Sequence, residues 1–94
     1  MTAKSVALPP QLHACVNEFL SQANEMRAKT PYDAISASLL YAAARFNVHG
    51  FLAQGSDRMF SNKDFVAYMA DLYRRMLEEQ LDVLAQAAAK EKSP

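Results

Sequence analysis

The stretch Ile35–Asn47 reads ISASLLYAAARFN. It is nearly free of large polar groups until Arg45 and Asn47, and it is crowded with Ala and Ser. Alanine has the highest helix propensity of the residues, so this run costs nothing locally as a helix. Ser36 and Ser38 are poorer helix formers, but each hydroxyl can bond a backbone carbonyl within the helix. Small side chains thin the helix and let neighbours approach from several directions. Ile35, Leu39, Ala43 and Phe46 fall on one side, and Leu40, Ala44 and Phe51 on another. A helix that is apolar on more than one side is expected to be covered on more than one side.

Reading outward, TPYD at 30–33 gives a start signal. Thr30 suits the cap, Pro31 the first helical position, and Asp33 the reciprocal place in a capping box. Ahead of it, Leu12, Cys15, Val16, Phe19, Leu20, Ala23 and Met26 recur at three- and four-residue steps, which predicts an amphipathic helix entered through Pro9 and Pro10. Beyond it, QGSDRMFSNKD is the turn-rich interval, and Ser61 followed by Asp64 repeats the capping arrangement. Phe65, Met69, Leu72, Met76, Val83 and Leu84 then mark the inner stripe of a third helix, widened by Tyr68, Tyr73, Leu77 and Leu81. The expected organisation is one helical domain over residues 1–94, with helices at about 10–28, 31–54 and 62–88. Frayed or disordered ends are expected at 1–8 and 89–94.

Short connections favour antiparallel neighbours, so the expected fold is all-α, an antiparallel three-helix bundle. At about 1.5 Å per residue the third helix is roughly 40 Å long and the first under about 30 Å, so its C-terminal end should overhang. A chain of 94 residues buries only about 60–65% of its unfolded surface. That leaves too little protein to cover the second helix. The helices are therefore expected to pack further in a homo-oligomer, with a dimer favoured.

Totals exclude several classes. Ten basic residues balance ten acidic ones, which argues against a nucleic-acid partner. No apolar run approaches the length of a membrane span, and the N-terminal MTAKSVALPP lacks an apolar run of signal-peptide length. The single Cys15 suits a reducing compartment. The expectation is a soluble, cytoplasmic protein with no membrane partner.

Ser38, Tyr41, Arg45 and His49 fall at three- and four-residue steps and form a polar stripe on the second helix. The plainer reading is a solvated or boundary face. The sharper one is a ligand or partner site built from Tyr, Arg and His. A partly buried arginine needs a carboxylate. Reflection through the turns offers Asp71 first and Glu18 second as partners of Arg45. Arg74 and Arg75 each precede a glutamate by four residues and are expected to form surface pairs with Glu78 and Glu79. The chemistry of catalysis is not legible. Neither histidine follows a glutamate at di-metal spacing, His13 and Cys15 point to different sides of a helix, and there is no phosphate loop or zinc spacing. No catalytic residue, metal or cofactor is expected.

Three runs carry a resemblance. VNEFLSQANE, ISASLLYAAARFN and FVAYMADLYRRMLEEQLDVL resemble, in the same order, the helices of a family of short bacterial proteins known as domain of unknown function 3144. The likeness covers about Val16 to Leu84, and the loop and the Ala/Lys-rich tail depart from it. The resemblance implies an all-helical bacterial protein without an assigned activity, and it lends no catalytic residues. Together with the uncovered helices this points to a non-enzymatic oligomeric interaction or adaptor protein with a possible further protein partner. The alternative is a small-molecule-binding protein or enzyme that uses the Tyr/Arg/His stripe.

Overall fold

A computed structural model describes residues 9–92. Three α-helices follow one another, α1 (Pro10–Met26), α2 (Tyr32–Ala53) and α3 (Asn62–Lys92). They hold 17, 22 and 31 residues, more than two thirds of the chain, and no strand occurs among the described residues. The all-α expectation is met. The chain divides into two compact units, one containing α1, α2 and the 3-10 turn Gly55–Asp57, the other containing α3.

In the first unit α1 and α2 touch each other. Pro9 is the N-cap of α1, with Pro10 as its first residue, so the missing amide falls where no helical bond is needed. The helix closes at Met26, two residues earlier than the expected end near 28. The Lys29 and Thr30 amides both donate to the Met26 carbonyl, at 3.1 and 2.9 Å, and tighten the last turn. The Arg27 guanidinium lies 5.3 Å from the Tyr32 ring centre, which bridges the turn between the helices.

The start of α2 corrects the expected capping box. Pro31, not Thr30, occupies the N-cap, and no side chain caps the end. Pro31 has an extended ψ of 148°, so the helix begins only at Tyr32, and the Ile35 amide closes the first turn on the Pro31 carbonyl at 3.2 Å. That shift by one residue takes Thr30 out of reach of the free amides it was expected to accept from. The other end of α2 is closed by Gly55, whose φ of 59° is left-handed and suits glycine.

The buried apolar side chains of the first unit are Ile35 and Phe51, at 6% and 7% exposure. Arg58 places its guanidinium 5.0 Å from the Phe51 ring centre and helps to cover it. Asn47 is half-buried on the Phe51 side of α2. The rest of the helix is left uncovered within one chain. Leu39, Leu40, Tyr41, Phe46 and Leu52 are exposed, with Phe46 at 79%.

In the second unit the expected cap of α3 is present. The Asp64 amide donates to Ser61 Oγ at 3.1 Å, and the Phe65 amide donates to the Ser61 carbonyl at 2.9 Å. Phe60 stacks on Tyr68 with ring centres 5.4 Å apart. Phe65, Met69, Leu72, Met76 and Glu79 form a half-buried line at alternating steps of four and three. Further along, Leu77, Leu81, Val83 and Leu84 are exposed. α3 runs to Lys92, past the expected helix end near 88, because AAAK continues a run of strong helix formers with no breaker before Ser93 and Pro94. The expected disordered ends at 1–8 and 93–94 lie outside the described residues.

Candidate functional site

Because α2 is regular from Tyr32 to Ala53, positions separated by three and four residues share one side of it. Ser38, Tyr41, Arg45 and His49 do so, and they surround a depression together with Ala42 and Phe46. Its six lining residues all belong to α2. The depression is therefore a helix surface open to solvent, lined by the small Ser38 and Ala42 and the larger Tyr41, Arg45, Phe46 and His49. Ala42 and Phe46 extend the stripe read from the sequence. The signal for them was their spacing, four and eight residues beyond Ser38. Their apolar character assigned them to packing instead.

Arg45, read from the sequence as a partly buried arginine, is exposed. Its guanidinium lies 5.2 Å from the Tyr41 ring centre. A charge that keeps its hydration has no need of a buried carboxylate, and an aromatic face four residues back is enough to orient it. Glu18, the second candidate partner, is exposed on α1. Asp71, the first candidate, is engaged within α3. Arg74 Nη2 donates to its Oδ1 at 2.7 Å, and Arg75 Nε lies 3.2 Å from its Oδ2. Arg74 also donates to Glu78 Oε2 at 2.9 Å, as its spacing predicts. The hydrogen bond from Arg74 is the largest influence holding the Asp71 carboxyl below its ordinary value. The same bond from Asp71 raises Arg74.

The candidate ligand chemistry of α2 is thus one guanidinium, one imidazole, a phenol and a serine hydroxyl beside the apolar Ala42 and Phe46. Among the described residues no group of three or more His, Cys, Asp or Glu side chains is placed to hold a metal ion. Cys15 is an exposed free thiol. No described helix is long and apolar enough to cross a membrane.

The family model described as a protein of unknown function (DUF3144) matches residues 12–84. The match spans most of the chain and includes α2 whole, so the chain belongs to that family. No curated protein and no solved structure matches it.

Proposed function

We propose that this member of the DUF3144 family is a non-enzymatic interaction protein that self-associates through exposed faces of α2 and α3. In the same reading it is a cytoplasmic bacterial protein whose helices complete an antiparallel bundle by packing against a second copy. The observation that carries the proposal is the openness of the Tyr41–Arg45–Phe46–His49 face. It lies on one helix and encloses nothing, yet it holds an aromatic ring that is 79% exposed at Phe46. An exposed aromatic side chain beside polar groups on an open helix face fits a docking face better than a reaction centre, which is usually concave. Sedimentation equilibrium over a wide concentration range tests it. A mass of two chains at micromolar concentration is expected, and a single-chain mass throughout would reject self-association.

One observation favours a second reading. Arg45 and His49 stand beside Tyr41 around the same depression, and that set would suit an anionic aromatic small molecule. Under this reading a panel of aromatic carboxylates raises the melting temperature of the wild type and not of Arg45→Met. A flat response across the panel leaves the interaction reading alone.

A further inference from the structure

Ser38, Tyr41, Ala42 and Arg45 stand at i, i+3, i+4 and i+7 along α2. Four residues so placed outline the hole that takes one side chain of a second helix in knobs-into-holes packing. Ala42, Arg45, Phe46 and His49 outline the next hole, one turn further on, and share two of their corners with the first. The depression is thus a pair of adjoining holes that meet at Ala42 and Arg45. Two holes four residues apart accept two knobs four residues apart.

The same chain has such knobs uncovered. Leu77 and Leu81 are four residues apart on α3, exposed at 46% and 71%, and Leu84 continues the line. Charge selects this occupant. Between Ala34 and Ala53, α2 carries one charged side chain, Arg45, with His49 beside it. Between Met76 and Ala89, α3 carries Glu78, Glu79 and Asp82 and no lysine or arginine; Glu78 accepts from Arg74 one turn before, and Asp82 adds a further carboxylate. Pairing α2 with α2 of another copy would set Arg45 against a like charge, whereas pairing it with this segment sets it against carboxylates.

We propose that the two holes on α2 receive Leu77 and Leu81 of α3 from a second copy, with Arg45 facing Glu78 and Asp82 of that helix. The contact rests on the self-association reading and specifies it.

Ala42→Glu and Leu81→Arg test it, both at exposed helical positions and both to good helix formers. Each variant alone should weaken the dimer by about tenfold or more, one by placing a carboxylate under the leucine, the other by placing a second cation beside Arg45. An equimolar mixture should dimerise nearly as well as the wild type. In the mixed dimer the introduced carboxylate meets the introduced guanidinium at one contact, and the other contact is native. Circular dichroism checks that each variant keeps its helix content. Sedimentation separates the outcomes. Restoration on mixing supports the contact. A dimer weakened by Ala42→Glu but not by Leu81→Arg overturns it in favour of an α2–α2 pairing. Two weakened variants that fail to complement also overturn it, while self-association stands. A wild type that is monomeric throughout removes the self-association reading and the contact together.

Discussion

The Arg45 guanidinium rests 5.2 Å from the Tyr41 ring centre on an exposed helix face. An exposed contact of this kind is worth about 0.5–1 kcal/mol, and truncating the side chain leaves no charge stranded in an apolar interior. Urea melts of Arg45→Met at a concentration where the chain is monomeric should therefore show a loss under about 1 kcal/mol. A loss of several kcal/mol would point to a buried carboxylate partner. Asp71 gives a prediction in pH. Its folded value lies below the ordinary 3.8, chiefly through the Arg74 hydrogen bond. A depressed carboxyl contributes stability above its unfolded value and loses that contribution as pH falls through the folded one. An NMR titration should place the Asp71 midpoint below 3.8, and Arg74→Ala should move it back up. A midpoint unmoved by that change would mean that the pair does not persist in solution.

At the scale of the elements, the two turns that start helices make opposite predictions from similar sequences. Ser61 accepts the Asp64 amide at 3.1 Å, so Ser61→Ala should cost about 1 kcal/mol in a thermal or urea melt. No side chain caps α2, so Thr30→Ala should be close to neutral. Equal costs at the two sites would contradict the different caps. Gly55 closes α2 at φ 59° with nothing within 4 Å of the place a Cβ would take. Gly55→Ala should then cost about 1 kcal/mol from backbone conformation alone, with no clash to relieve. A melt in which this variant matches the wild type would show that the turn adopts another conformation.

For the molecule as a whole, the thin interior of the first unit matters most. Ile35 and Phe51 are its buried apolar side chains, while Leu39, Leu40, Phe46 and Leu52 remain in contact with water. A chain in this condition gains stability from whatever covers those residues. If the cover is a second copy, the melting temperature rises with protein concentration by mass action. Calorimetry over a wide range of concentration checks this, and a constant melting temperature would contradict it. Phe51→Ala removes half of that interior and should lower stability by about 3 kcal/mol or more.

Much of this was legible in the chain itself. Three helices follow from the three- and four-residue recurrence of apolar positions, because that spacing has one regular solution in a chain poor in Gly and Pro. The cap at Ser61 follows from its offset to Asp64, and the side shared by Ser38, Tyr41, Arg45 and His49 follows from helix geometry alone. Those are local relations, and sequence distance fixes spatial distance within one helix. What the tertiary structure decided depends on backbone angles or on separations that sequence distance does not set. The extended Pro31 moved the start of α2 past Thr30, and no composition rule chooses between those adjacent residues. Arg45 turned to a ring on its own helix and remained in water, while Asp71 took two arginines from its own. A partner for a charge is chosen by which groups arrive within a few ångströms and how dry the place is, and only the folded chain fixes both.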